Sequence, residues 1–172
     1  MTPPAQQLVE WVDEDGRVRA IVTRARVRAE NLLHRSVFVV VRSTRGEILV
    51  HRRAEWKDVW PGYWDLAVGG VVSVGEPWPA AARRELAEEL GIEALDLDDL
   101  GSFRYGDPQV KELGRVFAIG GDGPFRLEDG EVTAVDWVPI ERLRSWVDAR
   151  AVCPDSVAGV LPLIPGLPPA AS

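Results

Sequence analysis

Three glutamates in the middle of the chain carry the clearest chemical potential. Glu85, Glu88 and Glu89 are spaced three and four residues apart, so on a helix they lie on one face. Adjacent carboxylates repel one another unless a cation neutralises them, and Mg²⁺ prefers oxygen ligands, typically one or two carboxylates together with substrate phosphates. This face therefore predicts a metal site for a phosphate-bearing substrate. The alternative is a solvated acidic helix face, on which Arg84 pairs with Glu88 at i,i+4.

The helix that must carry these glutamates is delimited by its flanking residues. Pro77 suits a helix start, where no intrahelical N–H bond is lost, and Gly91 suits the left-handed residue that ends a helix. Leu86 and Leu90 form an apolar stripe about 100° from the acidic one. The sequence therefore predicts a helix over about residues 78–90, with one stripe in a core and the other lining a cleft.

The glutamates belong to a longer pattern of fixed spacing. It begins at Gly70, passes through Glu76 and Arg84, and reads R-E-L-A-E-E-L-G-I to its end at Ile92. This pattern resembles the Nudix box, G-x5-E-x7-R-E-U-x-E-E-x-G-U with U aliphatic, and every fixed position matches. The resemblance implies an α/β Nudix fold, with a mixed β-sheet sandwiched between helices. It also implies metal-dependent hydrolysis of a nucleoside diphosphate linked to another group.

The resemblance further implies roles for single residues. Glu88 is expected to act as a ligand or as the general base, and Arg84 and Glu76 are expected to pair and hold the loop to the helix. The implied cofactor is Mg²⁺, with Mn²⁺ as an alternative. The implied metal-binding groups are the carboxylates of Glu85, Glu89 and Glu88 and the carbonyl of Gly70.

Length and composition limit the classes of protein to which the chain can belong. The 172 residues suit one domain with a substantial core, and 46% hydrophobic residues are typical of a globular protein. A net charge of −7 argues against a broad nucleic-acid-binding surface. The one cysteine, Cys153, excludes an internal disulfide and suits a reducing cytoplasm. The sequence lacks a signal-peptide pattern and an apolar run of about 20 residues, so we expect a cytoplasmic protein that does not enter a membrane.

The remaining chain alternates between strand and helix patterns. We expect one domain over residues 1–172, with frayed tails at 1–7 and 162–172. The apolar run at 37–41 is typical of a strand buried on both faces. The predicted strands are 8–12, 18–23, 37–41, 48–50, 64–72, 100–105, 114–119 and 132–137, and the predicted helices are 24–33, 78–90, 139–147 and a short one near 154–160.

The segment before the box narrows the resemblance. Residues 51–65 contain paired arginines, a lysine four residues after the second arginine, and a Trp-Pro-Gly-Tyr-Trp run. These features look like the isopentenyl-diphosphate isomerase branch of the family, over roughly residues 34–140. Arg53 and Lys57 fall where that branch grips a diphosphate, and their chemistry fits, because arginine forks onto phosphate oxygens and lysine adds a point charge. The alternative for both is a basic surface turn.

Other positions contradict the isomerase chemistry. The isomerase uses a cysteine just before the box, where this chain has Gly69, and we expect Cys153 to be a small buried thiol. His34 matches one metal-binding histidine of that branch, but only His51 remains elsewhere. Glu112 falls where the isomerase has a catalytic glutamate, and we expect it to act as a fourth metal ligand or a base. A solvated loop glutamate is the alternative.

The sequence leaves the substrate open. Our order of preference is nucleoside di- or triphosphates, then nucleotide-sugars or dinucleotides, then isoprenoid diphosphates. The expected partner is thus a small molecule, with no nucleic acid and no membrane. The rival is a non-catalytic diphosphate-binding sensor on the same scaffold, which the three retained carboxylates argue against. Aromatic residues near the box are candidates for stacking a base, or else for packing: Trp56 as our choice, then Trp60, Tyr63, Trp64, Phe103 and Tyr105.

Overall fold

The computed structural model describes residues 4–93, 96–127 and 130–169. The three α-helices are α1 (Arg24–Glu30), α2 (Trp78–Leu90) and α3 (Leu143–Asp148). Short 3₁₀ turns cover Pro4–Gln6, Ile140–Arg142 and Leu161–Leu163, and a π-helical turn covers Ser156–Val160. The strands are β1 (Leu8–Val12), β2 (Val18–Thr23), β3 (His34–Arg42), β4 (Glu47–Arg53), β5 (Trp64–Asp65), β6 (Val68–Val71), β7 (Asp98–Gly106), β8 (Lys111–Gly120) and β9 (Val132–Pro139).

Strand β3 is the centre of a seven-stranded mixed sheet. It pairs in parallel with β8 and antiparallel with β6, while β8 continues antiparallel into β7. At its far end β3 meets β4 through Arg42 and Ile48, and β4 pairs antiparallel with both β5 and β9. β6, which leads into α2, and β8 therefore lie on opposite sides of β3.

The two faces of β3 contact different helices because side chains alternate along a strand. Val37, Val39 and Val41 face α2 and pack with its buried residues. Phe38 and Val40 face the opposite layer, which contains α3 and the turns from 156 to 163. This arrangement explains the continuous apolar run. It confirms the predicted α/β fold, a mixed sheet with helices on both sides.

The β1–β2 hairpin and α1 form a smaller unit beside the box. Val9 and Val22 of the hairpin pack with Val27 of α1 and with Val71. Thr23 caps the start of α1 through its side chain, which accepts from the Arg26 N–H. The hairpin is joined to the segment before α2 by a bridge between Val9 and Ser73. The unit therefore holds α1 beside Val71 and the segment that leads into α2.

Local sequence signals predict some helix boundaries correctly and others incorrectly. Helix α2 has the predicted bounds, whereas α1 ends at Glu30, because Asn31 adopts a left-handed conformation with φ 48°. In the C-terminal segment, where we expect fraying, Ile164 is buried and Leu167 packs against the core. Residues 1–3 and 170–172 lie outside the described residues. Within the described ranges, every helix is too short or too polar to cross a membrane.

Candidate active site

Helix α2 presents two buried stripes to different surroundings. Leu86 and Leu90 are fully buried in the core, and Glu85 and Glu89 are buried on the adjacent stripe. The side chain of Glu88 is 54% exposed and borders the same cavity as Glu85. The helix begins after Pro77 and ends at Gly91, which has φ 65°. The predicted helix, with its core-facing and cleft-facing stripes, is therefore confirmed.

Arg84 ties the box together. Its Nε and Nη2 donate to the two carboxylate oxygens of Glu76, each at 3.0 Å, and Nη2 also donates to the Val71 carbonyl at 3.2 Å. Its Nη1 donates to Glu85 at 2.6 Å and lies 3.3 Å from Glu88. The predicted pairing of Arg84 with Glu76 is confirmed. The same guanidinium also orients two of the three box glutamates.

Two glycines allow the box helix to approach the sheet. A Cβ on Gly70 would lie 2.5 Å from Glu85 Oε1, so the carboxylate occupies the space that any side chain would need. A Cβ on Gly69 would collide with the Val37 carbonyl of β3. The backbone of Gly70 therefore lies directly against the Glu85 carboxylate. At Gly69, the position of the isomerase cysteine, a side chain would require the strands to shift.

Burial shifts the charge states of the glutamates on α2. Desolvation raises the pKa of Glu85 to about 7, against the opposing attraction of Arg84. The pKa of Glu89 is raised well above its usual range, first by burial and then by the nearby Glu85 charge. Glu89 Oε2 is buried and has no hydrogen-bond partner among the described residues. We call Glu85, Glu88 and Glu89 the carboxylate wall.

Glu85 and Glu88 of the carboxylate wall line a cavity of about 390 Å³ that contains further acids from distant segments. Glu112 of β8 and Asp155 lie within hydrogen-bonding reach of each other, and burial raises the pKa of both. Asp65 accepts from the Leu66 N–H at 2.8 Å and from the Ser156 hydroxyl. Oε1 of Glu112 is buried and unpartnered within the described ranges.

Cations occupy another side of the cavity. Arg53 donates to the Val59 carbonyl at 3.0 Å and lies 3.7 Å from Asp65, and Lys57 forms an ion pair with Glu131. Arg24 and Arg28 of α1 also line the cavity. We call these four cations, Arg24, Arg28, Arg53 and Lys57, the basic wall.

The aromatic candidates differ sharply in exposure. Trp56 is 61% exposed, and Lys57 Nζ lies 5.7 Å from its ring centroid. Trp60 is 7% exposed and, like Tyr63, packs around the buried Cys153. Trp64 packs edge-on against Trp146, Phe103 packs against Phe38, and the hydroxyl of Tyr105 donates to Asp107. Of the six candidates, Trp56 has the ring most open to a ligand.

The histidines and the cysteine lie in the protein interior. Burial lowers the pKa of His34 and of His51 to about 4, so both rings are neutral near pH 7. His34 is in strand register with Glu112. Cys153 is fully buried, as expected for a packing thiol, and burial raises its pKa.

The donor set fits a hard divalent cation. Glu89 and Glu112 each have a buried carboxylate oxygen without a partner among the described residues, and the Glu85 carboxylate lies directly against the backbone of Gly70. No three histidine, cysteine or carboxylate side chains in the described ranges converge on one point. A cation that takes one or two carboxylates and completes its shell with substrate oxygens matches this arrangement.

Sequence reasoning missed several cavity residues. Asp65 and Asp155 stand alone in sequence and reach the cavity only through the pairing of β5 with β4 and the packing of residues 153–160. The sequence did contain a signal that Arg24 and Arg28 act together, because an i,i+4 spacing puts both on one face of a helix.

Known proteins resemble this chain over most of its length. Residues 32–155 match the family model of the NUDIX domain. The chain is 38% identical over 151 residues to the uncharacterized Nudix hydrolase PA4841 of Pseudomonas aeruginosa, covering 88% of this chain and 89% of the relative. It is 39% identical over 151 residues to the uncharacterized Nudix hydrolase YfcD of Escherichia coli strain K12, covering 86% and 83%. The crystal structure of DR0079 from Deinococcus radiodurans superposes with a TM-score of 0.75 at 26% identity, covering 91% of this chain and 96% of that one. The chain therefore belongs to the Nudix family and is a hydrolase that acts on pyrophosphate bonds.

Proposed function

We propose that the protein is a Mg²⁺-dependent pyrophosphohydrolase of nucleoside di- or triphosphates, or of related nucleoside diphosphate derivatives, and that it releases a nucleoside monophosphate. One observation carries this proposal. Buried carboxylates, among them Glu112 with an oxygen unpartnered in the described ranges, line the same 390 Å³ cavity as a group of cations. Such a cavity suits an anionic phosphate chain that binds together with a divalent cation.

The residues of the carboxylate wall have distinct roles in this proposal. Glu85 and Glu89 hold the cation, and the Gly70 carbonyl adds an oxygen beside them. Glu88 is the least buried of the three and acts as a further ligand or as the general base that takes a proton from water. When bound, the cation supplies positive charge that polarises the phosphate and acidifies water.

The other walls position the substrate. Arg53 and Lys57 bind phosphate oxygens, since both line the cavity. Glu112 is the second candidate for a base or a fourth ligand, because it lines the cavity and has a buried oxygen without a partner among the described residues. Trp56 offers an open ring for stacking a base.

The proposal is tested by product release from a substrate panel. Nucleoside di- and triphosphates, nucleotide-sugars and dinucleotides are incubated with the protein in Mg²⁺ or Mn²⁺, and monophosphate and phosphate are quantified. We expect the fastest turnover on a nucleoside di- or triphosphate. Release no faster than the no-enzyme blank across the whole panel would refute the proposal.

Metal dependence is tested on the best substrate. Excess chelator should abolish turnover, and added Mg²⁺ should restore it, because the buried carboxylates hold the cation that activates the reaction. Sustained turnover in chelator would contradict the assigned roles of Glu85 and Glu89.

Isomerisation is the alternative enzyme activity, and the site argues against it. The collision that any Gly69 side chain would make with β3 leaves no room for the isomerase cysteine. Incubation with isopentenyl diphosphate should therefore give no dimethylallyl isomer above a no-enzyme control. Detectable isomer would restore the isomerase hypothesis.

A further inference from the structure

Arg24 and Arg28 are cavity residues without an assigned role. They lie four residues apart on α1 and face the same side of the helix. Both line the cavity that also contains Glu85 and Glu88. Arg26, between them in sequence, points away and pairs with Glu30 on the solvent side. The helix therefore directs two of its three arginines at the substrate cavity.

These two arginines share a single acidic partner. Arg28 Nε donates to Asp58 Oδ2 at 3.1 Å, and Arg24 Nη2 lies 3.8 Å from Asp58 Oδ1. Nε of Arg24 is buried, and the described residues offer it no acceptor. The side chains of Arg24 and Arg28 are 21% and 22% exposed. Among the described residues, Asp58 is the carboxylate that forms ion pairs with both guanidiniums, and Glu112 acts on Arg28 at longer range. Two guanidiniums with one ion-paired carboxylate leave positive charge in a partly desolvated place, which favours binding of an anion.

The excess charge distinguishes this pair from the rest of the basic wall. Arg53 lies beside Asp65, and Lys57 is paired with Glu131. Burial also lowers the pKa of Arg28, a sign that its charge is incompletely compensated by Asp58. The uncompensated positive charge of the basic wall therefore lies on Arg24 and Arg28 of α1.

The same two arginines border a second hollow on their outer side. This hollow, of about 460 Å³, is also lined by Ala5, Ala25 and the exposed Trp56, and the paired charges of Lys57, Asp58 and Glu131 lie at its edge. Arg24 and Arg28 thus stand between the carboxylate-lined cavity and an apolar shelf with an open aromatic ring. A nucleotide has the matching order of groups, an aromatic base joined to a charged phosphate chain.

We propose that Arg24 and Arg28 form a phosphate-binding subsite at the passage between the cavity and the Trp56 shelf, which binds a phosphate group of the nucleotide substrate. The subsite rests on the proposed function for the identity of its substrate. It makes α1 part of the binding site, and Asp58 sets its net charge.

The first test measures binding without turnover. Affinity for inorganic pyrophosphate is determined by calorimetry for wild type and for Arg24→Gln, Arg28→Gln and Arg28→Lys. We expect Arg24→Gln and Arg28→Gln to weaken binding by about ten- to a hundredfold, because each removes a charge-assisted hydrogen bond. Arg28→Lys keeps the charge but loses the fork, so its affinity should lie between those of wild type and Arg28→Gln.

Arg26→Gln is the matched control, since it removes an arginine of the same helix that pairs only on the solvent side. It should bind pyrophosphate as wild type does. If Arg24→Gln and Arg28→Gln also bind as tightly as Arg26→Gln, the subsite does not exist. Thermal unfolding of all variants checks that α1 remains folded.

Asp58→Asn distinguishes phosphate binding by the two arginines from a purely structural role of the cluster. Asp58→Asn removes the carboxylate that offsets the two arginines, so it should bind pyrophosphate more tightly than wild type. If the three residues only fasten α1 to the loop at 54–63, Asp58→Asn should instead weaken binding as Arg28→Gln does. That result would overturn the proposal.

Steady-state kinetics on the best substrate separate the two proposals. Arg24→Gln and Arg28→Gln should raise KM, with kcat within about threefold of wild type, because ground-state binding is lost. If wild type hydrolyses nucleotides but KM does not respond, the subsite fails and the hydrolase stands. If no nucleotide is hydrolysed but the pyrophosphate affinities follow the expected order, the subsite stands and the nucleotide hydrolase fails.

Discussion

Glu85 and Glu88 of the carboxylate wall line one cavity together with the basic wall, but the charges of the two walls are compensated to different degrees. Glu85 and Glu89 are buried together with one arginine partner between them, Arg84, and an oxygen of Glu89 is left without a partner in the described ranges. On the basic wall, Arg53 and Lys57 each lie beside a carboxylate. The carboxylate wall is therefore incomplete without a cation, whereas most of the basic wall is already neutralised within the protein.

This difference implies that substitutions on the two walls act on different kinetic parameters. Loss of a carboxylate removes the group that holds the cation, so it affects the chemical step. Loss of a paired cation removes a contact to phosphates that are charged before and during the reaction, so it affects mainly binding. The predictions below test this contrast, from the largest expected effect to the smallest.

Glu89→Gln tests the carboxylate wall most directly. The variant keeps the shape of the side chain but removes its charge, so kcat should fall by a factor on the order of 10³ or more. In chelator at pH 8, its thermal unfolding temperature should equal or exceed that of wild type, because a buried carboxyl with a raised pKa lowers stability at a pH above its unfolded pKa. Glu93→Gln, exposed just beyond the helix, is the control. A near-normal kcat for Glu89→Gln would remove the main distinction between the walls.

Arg53→Ala tests the basic wall. It should lower kcat/KM by about ten- to a hundredfold, mainly through KM, because a charge-assisted hydrogen bond to phosphate is lost. Arg52→Ala is the matched control, since that neighbour pairs with Glu55 outside the cavity. Thermal unfolding must be measured in parallel, because Arg53 also lies beside Asp65. Loss of kcat with unchanged KM would move Arg53 into the chemical step.

Trp56→Ala tests whether the open ring stacks the substrate. KM should rise by about two- to tenfold with little change in unfolding temperature, because the ring is largely exposed. Ile21→Ala removes a comparably exposed apolar side chain from β2 and should leave KM unchanged. An unaltered KM for Trp56→Ala on the best substrate would exclude the ring from binding.

His51 tests the electrostatic environment behind the basic wall. Burial lowers its pKa from 6.5 to about 4, against the opposing charge of Asp65 and with smaller contributions from Arg53 and Lys57. As the pH falls below 6.5 the unfolded chain takes up a proton that the native state does not, so stability is lost between pH 6.5 and about 4. From pH 7.5 to 5, wild type should lose about 2 kcal/mol more unfolding free energy than His51→Gln. Urea unfolding at both pH values measures this difference, and parallel losses would show that His51 is already protonated in the native state.

The box helix was predictable because its signals are local. Pro77, Gly91 and the two stripes lie within fifteen residues of one another, and the pairing of Arg84 with Glu76 follows from the same motif. The run at 37–41 likewise indicated a strand with two buried faces. In each case the signal lies within one element and needs no contact between distant segments.

The rest of the site depends on contacts between distant segments. Asp155 reaches Glu112 only because the segment after Cys153 packs beside β5. The sequence around these two acids contains no pattern that predicts this contact. The proline-rich end resembles a frayed tail in composition, yet Ile164 is buried by tertiary packing. Tertiary context overrides local propensity at these positions.

Cys153 gives the molecule an internal reporter of its own opening. The thiol is the one cysteine of the chain, it is fully buried, and its backbone N–H donates to the Trp64 carbonyl at 2.8 Å. A thiol reagent reacts with the exposed thiolate, so labelling requires that the segment containing Asp155 first separate from β5. The labelling rate therefore measures the opening free energy of one side of the cavity. Slower labelling in the presence of a nucleotide would show that the bound substrate stabilises the packing of this segment against β5.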